Sequence, residues 1–433
     1  MPRPNILYLH SHDSGLYVQP YGHAIPTPNI QHLAQEGVLF RQAFCAGPTC
    51  SPSRAALLTG MAPHNAGMIG LAHRGFSLHD YQQHLANVLK RAGYHTALAG
   101  VQHVADTPDT IGYDEVLTRE RPTVANVAPA ASRWLAQAPK EPWFMSVGFF
   151  ETHREYPEPT ASEDIRYTLP PPTVPDTPET RYDMAAYKAS ARIYDQGVGA
   201  VLAALQASGQ AGNTLVINTT DHGIAFPGIK CNLTDHGIGV MLIMRGPGGF
   251  EGGRVIDAMV SHIDIVPTIC ALADIQPPDW LQGSSMLPLL HGEVSSIRDE
   301  VHAEVTYHAA YEPMRCVRTT RWKYIRRYDG RETPVLPNCD DSPSKSVWLE
   351  HGWADRAVDA EQLYDLVYDP QETHNLAMFS THNDVLDDMR SRLERWMQAT
   401  DDPLLHGPVP APRGAKVNDP DGTSPREDCI VIA

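Results

Sequence analysis

The chain has 433 residues, of which 42% are hydrophobic and 20% are charged, and its formal net charge at pH 7 is −17. This length allows a large buried core and favours one big domain with a smaller one. The strong negative charge argues against a nucleic-acid-binding surface, so any anionic substrate must be held by a local cluster of positive groups. The seven cysteines are odd in number and form no C-x-x-C pair, which indicates mostly free thiols.

The N-terminal segment runs almost directly from Met1 into an apolar strand at residues 6–9. That leaves no room for the charged and apolar parts of a secretory leader, and no apolar run approaches the length needed to cross a membrane. We therefore expect a cytoplasmic protein without membrane contact. A leader already removed from a longer precursor is the alternative.

In the first 309 residues, short apolar runs rich in strand-forming residues alternate with helical patterns. Strands are predicted at residues 5–9, 38–44, 96–99, 143–150, 214–218 and 241–244, and helices at 29–36, 85–91, 182–205 and from 261 to before Pro277. This alternation is typical of an α/β sheet covered by helices on both faces. We therefore predict an α/β catalytic domain over residues 1–309, interrupted by a Pro-rich loop at 157–178.

The pattern changes near residue 310, where the runs become typical of an antiparallel sheet. Strands are predicted at residues 314–319, 323–327 and 362–367, followed by a helix at 384–397 with one apolar face. These elements predict a small C-terminal α+β subdomain over residues 310–400. Residues 401–433 are rich in Pro, Gly and charge, and they are predicted to form a wrapping or partly disordered tail.

The most informative segment is C-S-P-S-R at residues 50–54. Pro52 suits the first position of a helix and Ser51 can cap it, which would place Cys50 where free backbone N–H groups converge. Such a helix N-terminus binds anions, and Arg54 lies over the same end. The structural alternative is a capped helix with a buried cysteine and a solvated arginine.

Polar clusters follow several of the predicted strands. They are residues 10–15, 100–103, 151–154 and 219–223, which hold the pairs His12-Asp13 and Asp221-His222 as well as His103 and His153. Ligands of α/β folds bind beyond the carboxyl ends of the strands. Carboxylates beside imidazoles there suit a divalent cation. For each side chain taken alone, a helix cap or a satisfied buried histidine is the alternative.

The segment CSPSRAALLTG, together with these pairs, resembles the sulfatases of the alkaline-phosphatase superfamily, and within them the heparan N-sulfatase branch. In that signature a separate formylglycine-generating enzyme oxidises the cysteine to formylglycine. The likeness spans nearly the whole chain, since L-Y-D at residues 363–365 and D-P-Q-E-T-H-N-L at 369–376 also resemble family segments. It implies a large mixed, mostly parallel central sheet flanked by helices, with an antiparallel sheet in the smaller C-terminal domain.

The resemblance also implies residue roles. One divalent metal ion would be held by His12, Asp13, Cys50, Asp221 and His222, and the nucleophile and sulfuryl oxygens would be surrounded by Arg54, His103, His153 and Lys230. His153 is the candidate for protonating the leaving group, and His103 is the candidate base. The metal is Ca²⁺ by resemblance, while the histidine ligands admit Mn²⁺ or Zn²⁺. His10, His236 and His308 are weaker candidates for the pocket wall.

Two departures from the family pattern leave the transferred group open. His12 and His222 occupy positions where many sulfatases have Asp and Asn. Sulfatases commonly have Lys-x-His where this chain has Val101-Gln102-His103, so one positive charge is missing. The prediction is therefore a hydrolase of sulfate esters or sulfamates, with a formylglycine-dependent phosphonate monoester hydrolase or phosphodiesterase as the alternative. The expected substrate is a small-molecule or saccharide sulfate or phosphate ester, and a homodimer is an open possibility. A non-catalytic binding protein with unmodified Cys50 and a plain cysteine hydrolase are further alternatives.

Overall fold

A computed structural model describes residues 3–433, in which an eight-stranded sheet forms the centre of the larger domain. Its strands are β1 (Asn5–His10), β2 (Val38–Phe44), β3 (His95–Gly100), β4 (Glu115–Thr118), β5 (Trp143–Gly148), β6 (Thr214–Thr219), β7 (Leu242–Arg245) and β8 (Arg254–Ser261). Their order is β4-β3-β5-β1-β6-β7-β2-β8. Only β7 runs antiparallel to its neighbours among these strands. The predicted mixed, mostly parallel sheet is confirmed.

Helices cover both faces of this sheet. Within residues 3–433 they are α1 (Pro28–Glu36), α2 (Cys50–Thr59), α3 (Pro63–Ala66), α4 (Leu85–Arg91), α5 (Val124–Leu135), α6 (Pro178–Ala207), α7 (Asp235–Ile238), α8 (Ile265–Leu272) and α9 (Leu287–Leu290). Strand β1 shows why two layers are needed. Ile6 and Tyr8 pack in the core on one face, and Leu7 and Leu9 pack in the core on the other. A strand buried on both faces is continuously apolar, as its sequence predicts.

The smaller domain is built on an antiparallel sheet with the order β12-β11-β10-β9. Its elements are β9 (Glu300–Tyr307), β10 (Tyr311–Thr319), β11 (Trp322–Arg327), α10 (Pro343–Glu350), β12 (Glu361–Asp365) and α11 (Asn383–Ala399). The apolar face of α11 packs on this sheet through Leu386, Met389 and Leu393. The sheet begins at Glu300 rather than near 310, because β9 and β10 form one hairpin with Tyr307 opposite Tyr311.

Several elements differ from their predicted form. Helix α6 is longer than predicted, since Thr177 caps it and Pro178 occupies its first turn. Helix α5 was not predicted because Pro129 interrupts its sequence, yet the helix continues through that residue. Strands β4, β8 and β9 were also missed, although β9 alternates apolar and polar residues with the period of a strand.

The C-terminal residues 401–433 are ordered against both domains. Asp402 is buried, and its carboxylate accepts from Nε and Nη2 of Arg315 on β10, at 2.6 and 3.0 Å. Farther along, Asn418 accepts a hydrogen bond from Arg74 of the larger domain at 2.7 Å. Two short strands, β13 (Lys416–Val417) and β14 (Ile430–Val431), pair with each other. The segment therefore wraps the molecule, as one of the two predicted forms of the tail.

The cysteines and the helices bear on two features expected from the sequence, free thiols and no membrane-spanning segment. The cysteines at all seven positions are free, and Cys429 is the exposed one. No helix formed by residues 3–433 combines the length and the apolar character that a membrane span requires.

We predict that Asp402→Asn lowers the free energy of unfolding by about 2 kcal/mol, because Arg315 loses two hydrogen bonds to a buried carboxylate and keeps only Glu304 as a charge partner within residues 3–433. Asp401→Asn is the matched control, since the neighbouring side chain is exposed and should change stability by less than about 0.5 kcal/mol. Urea unfolding followed by circular dichroism measures both. Equal midpoints for the two variants would show that the Arg315–Asp402 pair does not hold the tail.

Candidate active site

Cys50 lies in the first turn of α2, where the helix meets the sheet. The residue before it, Thr49, is extended and occupies the N-cap position. The predicted capping by Ser51 is therefore wrong, and its hydroxyl instead accepts a hydrogen bond from the Ala72 N–H at 3.0 Å. Pro52 is the third helical residue, which is tolerated because N–H groups of the first turn have no partner within the helix. The predicted location of Cys50 at a helix N-terminus is nevertheless found.

The two acidic residues meet because their strands are neighbours. Strands β1 and β6 pair in parallel with His10 opposite Thr219, so the loops after them leave the sheet side by side. The backbone N–H of Asp13 donates to Asp221 Oδ1 at 2.8 Å, and Asp13 adopts a left-handed conformation with φ of 44°. Strand order thus explains how two residues 208 positions apart share one site.

The ligands predicted from the sequence come together around these carboxylates. The potential ligand atoms of His12, Asp13, Cys50 and Asp221 all lie within 4.8 Å of one another. His222 joins them, because its Nε2 is 3.4 Å from Cys50 Sγ and 3.3 Å from Asp13 Oδ1. We call these five residues the ligand cluster. All five are buried.

The cluster fits a divalent cation. Asp13 Oδ1 and His12 Nδ1 are buried without a hydrogen-bond partner, although His12 Nδ1 is only 3.2 Å from Asp221 Oδ2. Buried polar atoms without a partner are costly, and a bound cation would satisfy them together. The mixture of carboxylate oxygens and imidazole nitrogens suits Ca²⁺, Mn²⁺ or Zn²⁺ without distinguishing among them.

Charges within the cluster are balanced by Arg54, which is buried beneath it. Its Nη2 donates to Asp221 Oδ2 at 3.0 Å and to the Ser11 carbonyl at 2.8 Å, and Nη1 donates to His10 Nδ1 at 2.5 Å. Burial alone would raise the pKa of Asp221. The neighbouring His222 and Arg54 lower it by more, so the pKa of Asp221 lies well below its ordinary value. The carboxylate is therefore ionised.

His12 and His103 are neutral at pH 7, because burial opposes their protonation. Burial, followed by the charge of Arg54, lowers the pKa of His12 to about 4. Burial and the nearby His12 and His73 lower the pKa of His103 well below its ordinary value. A neutral imidazole can ligate a metal or accept a proton. As a thiol, Cys50 is a weak nucleophile, because burial raises its pKa well above the ordinary value.

A cleft of about 660 Å³ opens onto the ligand cluster and is lined by His12, His73, His103, Phe150 and His153, among others. The rings of His103 and His153 lie 5.7 and 5.4 Å from the ring of His12. Lys230 also reaches the cluster, with Nζ 3.0 Å from Asp13 Oδ2. The structure therefore brings together all of the predicted catalytic and ligating residues.

The weaker histidine candidates divide among three places. His10 Nδ1 is 2.5 Å from Arg54 Nη1. Burial, followed by the charge of the nearby Lys230, lowers the pKa of His308 well below its ordinary value. His236 is 2.9 Å from Gln371 of the smaller domain and does not contact the ligand cluster. The missing lysine at residue 101 is not replaced by Gln102, whose side chain bonds the backbone of Val104 and Ala105.

Sequence reasoning missed two polar residues beside the site. His73 Nδ1 is 2.9 Å from His103 Nε2, and Asp340 Oδ2 accepts from Lys230 Nζ at 2.8 Å. His73 lies in a single 3-10 turn, Ala72–Arg74, and Asp340 lies in an irregular segment of the smaller domain. Neither follows a strand of the central sheet, so the strand-end pattern gives no signal for them.

Comparison with known proteins identifies the class. The profile of the sulfatase family matches residues 4–275, well over half of the chain. A second profile, described as the C-terminal part of N-sulphoglucosamine sulphohydrolase, matches residues 230–347. The chain belongs to the sulfatase family, an enzyme family of sulfuric ester hydrolases, as the resemblance of its motifs predicted.

Individual relatives refine this picture. Human N-sulphoglucosamine sulphohydrolase is 31% identical to this chain, covering 93% of it and 92% of the human protein. An ulvan-active sulfatase of Formosa agariphila is 26% identical, covering 92% of this chain and 76% of its own. A 2-O GAG sulfatase has the same fold, with a TM-score of 0.72 at 20% identity and 95% coverage of both chains. A protein solved with its substrate D-glucosamine-2-N,6-O-disulfate has a TM-score of 0.71 at 18% identity, and the match covers 94% of this chain and 99% of that protein.

These findings reduce the alternatives raised by the sequence. The relatives and neighbouring folds do not support a phosphonate hydrolase. A plain cysteine hydrolase would use a thiolate, and the buried thiol of Cys50 opposes that form. Family membership together with a complete ligand cluster also weighs against a non-catalytic binding protein.

We predict that Asp221→Ala loses bound metal and hydrolytic activity together, because the variant removes a ligand and leaves Arg54 buried without its carboxylate. Metal content by mass spectrometry and sulfate release measure the two effects. Asp195→Asn is the control, since that buried residue holds the start of α1 and should keep its metal. An active, metal-free Asp221→Ala enzyme would remove Asp221 from the metal site.

Proposed function

We propose that the chain hydrolyses sulfate groups on the oxygen or nitrogen of a saccharide, using one divalent cation and a formylglycine that a separate enzyme makes from Cys50. The observation that carries this proposal is the position of Cys50 Sγ, 3.4 Å from His222 Nε2 and inside the ligand cluster. A residue there is at once at a helix N-terminus and beside a cation site. Both features stabilise an oxyanion on its side chain.

The saccharide part of the proposal is supported by the relatives. The human relative is named for N-sulphoglucosamine, and one neighbouring structure holds D-glucosamine-2-N,6-O-disulfate as its substrate. Hydrolysis of an N-linked or an O-linked sulfate releases the same inorganic sulfate ion. The proposal therefore includes sulfamates and sulfate esters.

The cation, when bound, would polarise the sulfuryl group and lower the pKa of the hydroxyl that the hydrated formylglycine supplies. Two cationic side chains lie next to that position. Lys230 reaches the cluster through Asp13, and Arg54 Nε is a buried donor without a partner. Preorganised positive groups of this kind stabilise charge that develops in the transition state. They also supply the local positive charge that a chain of net charge −17 requires.

Two proton transfers remain, and we assign them to two histidines of the cleft. His153 would donate a proton to the oxygen or nitrogen that leaves when its bond to sulfur breaks. His103 would accept the proton of the second hydroxyl as sulfate departs. One water is consumed overall, and the products are inorganic sulfate and the free hydroxyl or amine. The rings of both histidines lie within 6 Å of the ring of His12.

Turnover of matched substrates tests this function. We expect glucosamine N-sulfate, glucosamine 6-sulfate or both to be hydrolysed with a higher kcat/KM than a phenylphosphonate monoester. Cys50→Ala should lose activity by on the order of 10³-fold or more, because it removes the nucleophile. Cys45→Ala is the matched control, since this buried cysteine lies outside the ligand cluster and should keep activity. Preference for the phosphonate, or full activity of Cys50→Ala, would overturn the proposal.

A further inference from the structure

A carboxylate of the smaller domain lies on the outer side of the ligand cluster. Lys230 Nζ donates to Asp13 Oδ2 at 3.0 Å and to Asp340 Oδ2 at 2.8 Å, so it links two acidic residues from different domains. Exposure increases along this series. The side chain of Asp13 is 0% exposed, that of Lys230 is 2% exposed, and that of Asp340 is 17% exposed. Asp340 is therefore the member that reaches solvent.

Asp340 is ionised and has a free acceptor. Burial alone would raise the pKa of this carboxyl. Lys230, His153 and His308 lower it by more, so its pKa lies well below the ordinary value. Lys230 occupies Oδ2, while no hydrogen bond from residues 3–433 reaches Oδ1. The neighbouring His308 is more than nine-tenths buried, and its Nδ1 has no partner within the same residues. The Oδ1 atom of Asp340 is thus open to a ligand, and a buried imidazole nitrogen near it has no partner among those residues.

The charge of Asp340 indicates which part of a substrate it can contact. A carboxylate repels a sulfuryl group, so it is unsuited to binding the anion itself. An ionised oxygen instead binds hydrogen-bond donors strongly. The sulfuryl group would be held at the ligand cluster, and the leaving group would then extend outward past Lys230. Hydroxyl and amino groups are the donors that a sugar leaving group offers there.

We propose that Asp340, assisted by His308, recognises hydroxyl or amino groups of the leaving group and so sets the preference for a saccharide over an aryl sulfate. This inference rests on the proposed sulfate hydrolysis and adds a specificity-determining residue to it. The competing role is purely positional, in which Asp340 holds Lys230 in place for every substrate alike. The two roles differ in whether the loss of kcat/KM on removing the carboxylate depends on the leaving group.

The loop that carries Asp340 is fixed from both sides, which gives the carboxylate a defined direction. Lys345 Nζ donates to the Cys339 carbonyl at 2.8 Å and to Asp341 Oδ1 at 2.9 Å. Asp341 Oδ2 accepts from Ser424 of the tail at 2.5 Å. Adjacent aspartates therefore have different surroundings. The carboxylate of Asp341 is occupied by Lys345 and Ser424. An asparagine at this position would still accept from Lys345 and would donate to Ser424 Oγ, so Asp341→Asn keeps the loop fixed and is the matched control.

The experiment compares Asp340→Asn with Asp341→Asn in the full, metal-loaded enzyme. Each variant is assayed with glucosamine N-sulfate or 6-sulfate and with 4-nitrophenyl sulfate, whose leaving group has no donor. We expect Asp340→Asn to lower kcat/KM for the saccharide by about 10- to 100-fold, since a hydrogen bond to a charged group is lost. The loss with the aryl sulfate should stay under about threefold, and Asp341→Asn should stay under about threefold with both substrates.

An equal loss on both substrates would overturn the inference in favour of the positional role, and no loss on either would overturn it outright. If Asp340→Asn fails to fold, deoxy analogues of the saccharide test the wild-type enzyme instead. At least one should lose about tenfold in kcat/KM, and full activity of every analogue would contradict the proposal. A wild-type enzyme that hydrolyses neither sulfate would overturn the proposed function, and this inference with it.

Discussion

The carboxylate of Asp221 is the group on which the rest of the site depends. Its Oδ1 accepts from the backbone of Asp13 and of His222, at 2.8 and 3.0 Å, and its Oδ2 accepts from Arg54 at 3.0 Å. A buried carboxylate costs several kcal/mol unless such partners compensate it. Here the compensation also fixes the loop after β1, the loop after β6 and the first turn of α2. One ion pair therefore sets the relative positions of the ligands, the helix N-terminus and residue 50.

This arrangement could be predicted from the sequence as far as parallel strands dictate it. The apolar runs at residues 5–9 and 214–218 correspond to β1 and β6, and the polar residues directly after them do meet. The carboxyl ends of parallel strands share one edge of the sheet, so a list of strand-end residues is already a list of neighbours. The motif at residues 50–54 also predicts the helix N-terminus that carries Cys50, although the N-cap is Thr49 and not the predicted Ser51.

Other features could not be predicted because no periodic pattern marks them. Asp340 lies in an irregular segment and His73 in a single 3-10 turn, and their positions depend on how the two domains and the tail pack. Strand β9 shows the opposite case, since its alternation is visible in the sequence but was not recognised. Residue type alone did not separate His308, which lies near Lys230, from His236, which lies with Gln371 away from the ligand cluster. Tertiary contacts decided between them.

The smaller domain contacts the candidate site through Asp340, which accepts from Lys230. The profile for the C-terminal part of N-sulphoglucosamine sulphohydrolase spans residues 230–347, a range that begins at Lys230 and includes Asp340. These are the two residues that lead from the ligand cluster to solvent. In the proposed function, the larger domain would hold the sulfuryl group, and the junction between the domains would face the leaving group.

The central claim is that residue 50 acts as formylglycine within a cation site, and peptide mass spectrometry of catalytically active protein tests it most directly. The peptide containing residues 50–54 should carry the aldehyde, and the aldehyde fraction should rise in proportion to specific activity across preparations. A fully active preparation in which residue 50 is only a thiol would contradict the account.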